Sequence, residues 1–187
     1  MAFHEDWYPG PQLDNLVRIC GYTRALTGAV LELGCWEGKS TVALANTCYP
    51  DTLIAVDSWQ GNLGEGENHV TVKLLEQRDV YADFMENIRT LTKGNVQVER
   101  TDCFDFIAGL GTPVKFCHVD ASHDYASVKR ALEMLAPLVV DGGILCGDDY
   151  VSANILRADL DGGVERACRE VLPAHYSAGN FWFWRKQ

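Results

Sequence analysis

The chain has 187 residues, of which 47% are hydrophobic and 22% are charged. These values are ordinary for a globular protein and exclude a long disordered chain. The length predicts one domain that spans residues 1–187. The formal net charge is −10 at pH 7, and no run of lysine or arginine occurs. Nucleic acids and anionic membrane surfaces are therefore disfavoured as partners.

The seven cysteines are scattered along the chain, without a C-x-x-C pair. Their odd number and irregular spacing favour reduced, buried thiols over a disulfide framework or a zinc site, which predicts a cytoplasmic protein. The N-terminal stretch lacks the apolar segment of a signal peptide. No apolar run approaches the length of a membrane span, so we expect neither feature.

The first predicted element is a helix. Pro9, Gly10 and Pro11 interrupt the entry segment, and apolar residues between Leu13 and Cys20 then follow helical spacing. This helix precedes the first predicted strand, so we expect it near the mouth of a site formed by the strands.

A strand, a glycine turn and a helix follow in the sequence VLELGCWEGKST. Val30–Leu33 is the apolar run of a buried strand, and Gly34 and Gly38 bracket the turn. Ser40 is a good N-cap for a helix over about 41–48. The backbone N–H groups of such a turn and the positive end of the helix favour a ligand above the strand.

The spacing of the glycines restricts the ligand. A dinucleotide site has the pattern G-x-G-x-x-G, but here Trp36 occupies the middle glycine position and Lys39 the third. An indole where a pyrophosphate would rest argues against a NAD-linked oxidoreductase. The carboxylate of Glu32, before the turn, suits an ammonium group and would repel a phosphate. The turn therefore favours a ligand without phosphates.

The stretch ELGCWEGKS resembles the first motif of class I S-adenosylmethionine-dependent methyltransferases. The resemblance implies that Glu32, Gly34 and Gly38, with Ser40, hold the methionine part of the cofactor. It also implies that Asp57, which ends the next predicted strand, binds the ribose hydroxyls. The alternative is that Glu32 and Asp57 only cap strand ends.

The middle of the chain adds two candidate cofactor contacts. The glycine-rich segment 58–68 is either a lid or a solvated loop. Its Trp59 is predicted to pack on the adenine or ribose, with a core position as the alternative. Asp102 follows the third strand, Val96–Glu99, and the resemblance places it near the adenine. It is also a typical helix cap.

Three aspartates follow the next two strands. Asp120 comes after Lys115–Val119, and Asp148 and Asp149 come after Ile144–Cys146. Neighbouring parallel strands end at one edge of a sheet, so these carboxylates are expected to meet in one cleft. Like charges repel unless a cation joins them, and Mg²⁺ suits an all-oxygen donor set. Helix capping is the alternative role.

The chain ends in two short predicted strands, Ala174–Ser177 and Phe181–Trp184, separated by a turn. An antiparallel hairpin there completes the sheet in class I methyltransferases. The resemblance implies an α/β fold with a Rossmann-like doubly wound sheet, mostly parallel, in the strand order 3-2-1-4-5-7-6. Aromatic residues near both chain ends suit either the core or a homodimer interface: Trp7, Tyr8, Phe181, Trp182 and Trp184.

The stretches HVDASHDYASVKRAL and GGILCGDDY are similar to a group of small-molecule methyltransferases that includes macrolide-sugar O-methyltransferases. The resemblance implies that Asp120, Asp148 and Asp149 bind Mg²⁺ and that His123 belongs to the active-site motif. Ala121 and Ser122 replace the more usual glycine and acidic residue. A histidine with an unperturbed pKa near 6.5 suits a general base at neutral pH. The alternative is a cap or packing role.

Together these patterns predict a methyltransferase that uses S-adenosylmethionine to methylate a hydroxyl of a small molecule of the sugar or natural-product type, assisted by Mg²⁺. Asp120 and His123 are the predicted catalytic residues. Three other functions stay open: a metal-independent methyltransferase, a non-catalytic module that binds S-adenosylmethionine, and, less favoured, a NAD-linked oxidoreductase.

Overall fold

The structure is a computed structural model that describes residues 3–5, 7–8, 10–62, 69–150 and 162–187. Its strands form one seven-stranded sheet in the order β3-β2-β1-β4-β5-β7-β6. The strands are β1 (Ala29–Leu33), β2 (Leu53–Asp57), β3 (Val96–Arg100), β4 (Val114–Val119), β5 (Val139–Gly147), β6 (Tyr176–Ala178) and β7 (Phe181–Arg185). The first five are parallel to their neighbours, and β7 is antiparallel to β5 and β6. The predicted fold and strand order are confirmed.

Helices connect the strands. The α-helices are α1 (Gly10–Gly21), α2 (Lys39–Cys48), α3 (Val70–Leu75), α4 (Val80–Leu91), α5 (Cys103–Gly109), α6 (Tyr125–Leu135) and α7 (Gly163–Val171). A short 3₁₀ helix, Ala136–Leu138, leads into β5. Within the described ranges, no helix is both long and apolar enough to cross a bilayer.

The central strands are buried on both faces, as expected for parallel strands covered by helices. In β1, Val30 packs with Leu44 of α2, whereas Leu31 and Leu33 belong to the cluster that contains Leu132 of α6. Successive side chains of a strand point to opposite faces, so this alternation separates the two layers of helices. The chain order reverses between β1 and β4, which opens a crevice at their carboxyl ends.

Two predicted boundaries are corrected. Helix α2 begins at Lys39, because Gly38 (φ 86°) is the N-cap. Ser40 is therefore a buried residue of the first turn and not the cap. Strand β5 begins at Val139, five residues before the predicted start at Ile144. Of the predicted lid, residues 63–68 lie outside the described part of the chain.

Candidate active site

A cavity of about 740 Å³ lies at the carboxyl edge of the sheet. Eight of the residues predicted for the site line it: Gly34, Ser40, Asp57, Asp102, Asp120, His123, Asp148 and Asp149. Glu32, Gly38 and Trp59 are not among its lining residues. The crevice thus brings together the glycine turn after β1 and the aspartates after β4 and β5, which the sequence analysis treated as two separate motifs.

The glycine turn is built against the main chain of the second motif. Gly34 has a φ of 85°, and a Cβ atom there would lie 2.2 Å from the carbonyl oxygen of Asp120. The Asp120 N–H in turn donates to the carbonyl of Leu33 (2.8 Å). At Gly38, a Cβ would lie 2.9 Å from the ring of Phe84. Only glycine fits both the torsion and the space at position 34.

Asp57 holds the shape of the turn from the end of β2. Its Oδ2 accepts hydrogen bonds from the backbone N–H of Cys35 (2.8 Å) and Trp36 (3.1 Å), and its Oδ1 accepts from the N–H of Trp59 (2.7 Å). Trp36 takes a φ of 48° in this turn. Asp57 therefore caps the turn and also lies on the cavity wall, so its two predicted roles are compatible.

Glu32 lies beneath the cavity wall and not on it. Its side chain is fully buried, accepts a hydrogen bond from the hydroxyl of Thr41, and pairs with His118 Nδ1 (3.1 Å). His118 Nε2 lies 3.3 Å from the hydroxyl of Tyr8, which does line the cavity. Burial lowers the pKa of His118, but the hydrogen bond to Glu32 and nearby carboxylates outweigh it and raise the pKa overall. Glu32 thus ties β1 to α2 and β4, which does not match the predicted direct contact with an ammonium group.

Trp59 has the core position that was the alternative prediction. Its side chain is 4% exposed and packs on Tyr81 and Phe84 of α4, with ring centroids 4.7 and 4.8 Å away. Its Nε1 donates to the carbonyl of Trp36 (2.9 Å). A φ of 51° at Trp59 accompanies this inward placement. The prediction that Trp59 stacks on the adenine or ribose is therefore corrected.

Asp102 has the helix-cap role that was one of its two predicted alternatives. It is the N-cap of α5, with Oδ1 accepting from the N–H of Phe104 (2.8 Å) and Asp105 (3.3 Å). It also lines the cavity. The predicted contact with the adenine stays a prediction.

A close cluster forms after β4 and β5. One ligand atom each from Asp120, His123 and Asp149 lies within 4.8 Å of the others. His123 Nε2 is 3.1 Å from Asp149 Oδ2 and 3.7 Å from Asp120 Oδ1. Carboxylate oxygens are the ligands that Mg²⁺ prefers, and an imidazole nitrogen suits a transition metal. The donor set therefore fits a divalent cation.

Asp148 is not part of this close cluster, and its role as a third metal ligand stays a prediction. Gln12 Nε2 donates to both its oxygens, at 2.9 and 2.8 Å. Asp149, which has a φ of 56°, contacts His123 instead. Burial, followed by the charges of Asp120 and Asp149, raises the pKa of Asp148 to about 6. Asp148 is thus electrostatically coupled to the cluster without joining it directly.

The N-terminal segment contributes residues that sequence reasoning missed. Tyr8 and Gln12 line the cavity, as do Glu5 and Trp7. The rings of Trp7 and Trp36 are 5.3 Å apart, and Trp36 Nε1 donates to Glu5 (3.2 Å). The helical pattern of α1 placed it only near the site mouth. No local pattern marks contacts between residues this far apart in the chain.

The comparisons agree with this geometry. The family described as a methyltransferase domain matches residues 31–150, which is more than half of the chain. The chain therefore belongs to the methyltransferase domain family. This confirms the interpretation as a class I S-adenosylmethionine-dependent methyltransferase. No curated protein sequence matches the chain.

Solved structures of several O-methyltransferases share the fold. The O-methyltransferase NovP is 19% identical with a TM-score of 0.68, over 94% of this chain and 79% of NovP. An O-methyltransferase from Bacillus cereus, solved with S-adenosylhomocysteine, is 16% identical (TM-score 0.64; 94% and 80% covered). TomG from Streptomyces achromogenes, an O-methyltransferase of tomaymycin synthesis solved with S-adenosylmethionine, is also 16% identical (TM-score 0.63; 96% and 81% covered). At these identities the likeness concerns the fold.

Proposed function

We propose that the protein transfers a methyl group from S-adenosylmethionine to a hydroxyl of a small molecule, with assistance from a divalent cation, Mg²⁺ by preference. The observation that carries this proposal is the shared cavity. Gly34 and Asp57 line the same cavity as the cluster Asp120–His123–Asp149. A cofactor site and a polar acceptor site are therefore adjacent.

The cofactor half of the cavity has the chemistry that S-adenosylmethionine requires. Gly34 and Ser40 would contact its methionine part, and Asp57 and Asp102 would bind the ribose and adenine. Glu32 and Gly38 would act indirectly, because Glu32 ties β1 to α2 and Gly38 is the N-cap of α2. S-adenosylmethionine supplies an activated methyl group on a sulfonium, and none of these contacts requires a phosphate.

The acceptor half is acidic. Asp120 and Asp149 would hold the cation, with Asp148 next to them, and a bound cation lowers the pKa of an acceptor hydroxyl. His123 lies in the same cluster and takes the proton from that hydroxyl. The acceptor oxygen would then bond to the methyl carbon that S-adenosylmethionine supplies as the carbon–sulfur bond breaks, and the proton would stay on His123. In-line attack requires the acceptor and S-adenosylmethionine to be bound at the same time, and two adjacent halves of one cavity allow this.

The acceptor follows from the same residues. Two adjacent oxygens on a small molecule match a cation site best, so a vicinal diol is the proposed acceptor geometry. A phosphorylated acceptor would meet the carboxylates of Asp120, Asp148 and Asp149. We therefore propose an acceptor without phosphates, of the sugar or natural-product type. TomG acts in the synthesis of a natural product, which is consistent with that class.

Calorimetry with S-adenosylmethionine and S-adenosylhomocysteine, with and without Mg²⁺, tests the cofactor and the cation together. We expect both ligands to bind without metal, and methyl transfer to a panel of vicinal diols, beginning with catechol, to stop in EDTA. Binding without transfer to any acceptor would favour the non-catalytic module. Full transfer in EDTA would favour the metal-independent methyltransferase. Absence of S-adenosylmethionine binding would overturn the proposal.

A further inference from the structure

A glutamine from outside both predicted motifs contacts the acceptor half of the cavity. Gln12 is in the first turn of α1, and its side-chain amide donates to both carboxylate oxygens of Asp148, at 2.9 and 2.8 Å. The two residues are 136 positions apart in the chain. Both line the cavity.

The orientation of this amide is determined by Asp148. Gln12 Oε1 is buried and has no hydrogen-bond partner among the described residues. The reverse orientation would put Oε1 against two carboxylate oxygens, which repel it. An unsatisfied buried carbonyl keeps the full penalty for its removal from water. The amide therefore donates its N–H groups to the Asp148 carboxylate and leaves its own oxygen without a hydrogen bond. This indicates that the contact with Asp148 determines how the side chain is oriented.

The Asp148 carboxylate needs such a donor. It is 8% exposed and close enough to Asp120 and Asp149 for their charges to act on it. A buried carboxylate must be hydrogen-bonded to stay in place. The carboxylate has about four lone-pair sites. Gln12 occupies one on each oxygen and the backbone N–H of Asp149 a third, so one site stays available. Asp148 can thus be held by Gln12 and still serve as a ligand.

Helix α1 is a rigid support for this contact. Leu16, Ile19 and Cys20 are buried, with Leu16 fully inaccessible, and they join the cluster that contains Leu44 of α2 and Phe116 of β4. A side chain on a packed helix is held more exactly in space than one on a loop. Gln12 therefore fixes the Asp148 side chain, after β5, relative to helix α1.

We propose that Gln12 is a positioning residue that holds the Asp148 carboxylate beside Asp120 and Asp149 and so completes the site for a divalent cation. The inference rests on the cation of the proposed function, but it concerns a residue of α1 that neither sequence motif contains. Ligating carboxylates are commonly held by hydrogen bonds of this kind, and loss of such a partner weakens metal affinity by roughly 10- to 100-fold.

The test replaces Gln12 by methionine, which has a similar length but no N–H donor. Mn²⁺ serves as the probe: electron paramagnetic resonance measures free Mn²⁺, and calorimetry measures its affinity for the whole chain. We expect Gln12→Met to weaken Mn²⁺ binding by about 10- to 100-fold, while the affinity for S-adenosylmethionine without metal changes less than about twofold. The same change at the exposed Gln97 of β3, Gln97→Met, is the matched control and is expected to alter neither affinity.

The outcomes separate this inference from the proposed function. Unchanged Mn²⁺ affinity in Gln12→Met, or tighter binding because the amide blocks the cation, overturns the role of Gln12 alone. A matching loss of S-adenosylmethionine affinity shows a structural role and also overturns it. If the unsubstituted protein binds no Mn²⁺, the metal step fails and this inference fails with it, whereas the cofactor proposal is judged separately by its own titration. Gln12→Leu repeats the test with a different side-chain shape if Gln12→Met does not fold.

Discussion

The two halves of the cavity use carboxylates in opposite ways. In the cofactor half, Asp57 accepts three backbone N–H groups and Asp102 accepts two. In the acceptor half, the carboxylates of Asp120 and Asp149 lie in one cluster with His123, and Asp148 is beside them. The carboxylates of the cofactor half accept hydrogen bonds from nearby backbone N–H groups, whereas the carboxylates of the other half lie close to one another.

This difference indicates where the protein exchanges stability for function. Carboxylates that accept backbone N–H groups stabilise the turn and the start of α5. Carboxylates held close together in a partly buried place destabilise the fold until a cation joins them. Functional sites commonly carry such a cost. Substitutions in the two halves should therefore change the free energy of unfolding in opposite directions and by different amounts.

The largest effect is expected for Asp148→Asn on methyl transfer. The substitution removes a charged oxygen beside the proposed cation, so we expect turnover to fall by about a thousandfold, equal to roughly 4 kcal/mol. Affinity for S-adenosylmethionine should change by less than about twofold. Steady-state kinetics and calorimetry measure the two quantities. Asp105→Asn, at an exposed position on α5, is the control, and equal losses in both variants would contradict the division into halves.

The next effect concerns the junction of the halves. Gly34→Ala adds a Cβ 2.2 Å from the main chain of Asp120 at a φ of 85°. The torsion costs about 1 kcal/mol and the clash roughly 1–3 kcal/mol more. Gly94→Ala has a similar φ of 77° but open space around it, so only the first cost applies. Urea unfolding should separate the variants, and equal losses of free energy would show that the close approach is unimportant.

A third prediction concerns the thiol on the cavity wall. Burial, and then the charge of Asp102, raises the pKa of Cys103 to about 11. At pH 8 its thiolate fraction is roughly a hundredfold below that of a free thiol with a pKa of about 8.5. Its reaction with a disulfide reagent should be correspondingly slow.

Because this pKa is raised, the thiolate forms only as the pH rises towards 11, so the rate should increase about tenfold per pH unit between pH 8 and 10. Cys103 is half-buried and the other six cysteines, all in described ranges, are buried. Cys103→Ser should therefore remove the fastest-reacting thiol. A rate that is constant above about pH 8.5 would rule out the raised pKa.

The smallest effect is a gain in stability. The pKa of Asp148 is raised to about 6, so its contribution to stability is present below its unfolded value near 3.9 and is lost as the pH rises through about 6. The free energy of unfolding of Asp148→Asn should therefore be about 1 kcal/mol higher than that of the unsubstituted protein at pH 7.5 in EDTA. At pH 4 the advantage should disappear. Asp105→Asn should stay within about 0.5 kcal/mol at both values, and a loss of stability in Asp148→Asn at pH 7.5 would contradict the charge argument.

Much of the site could be predicted from local spacing. The apolar run before Gly34 and the aspartates directly after β4 and β5 place these residues at strand ends, and parallel strands bring such ends to one edge. The cap role of Asp102 was also one of the predicted alternatives. Boundaries were less accurate: α2 begins two residues before the predicted start because Gly38, and not Ser40, is its cap.

The order of strands and helices, the glycine turn and the residues at the carboxyl edge could be predicted, because they depend on periodicity and on residues close in the chain. The directions of the side chains, and the distant residues that contact them, became known only from the folded chain. Trp59 turns into the core, and Asp148 faces Gln12, 136 residues away, while Asp149 faces His123. Such choices depend on left-handed torsions at single residues and on packing between elements, neither of which leaves a local pattern in the sequence.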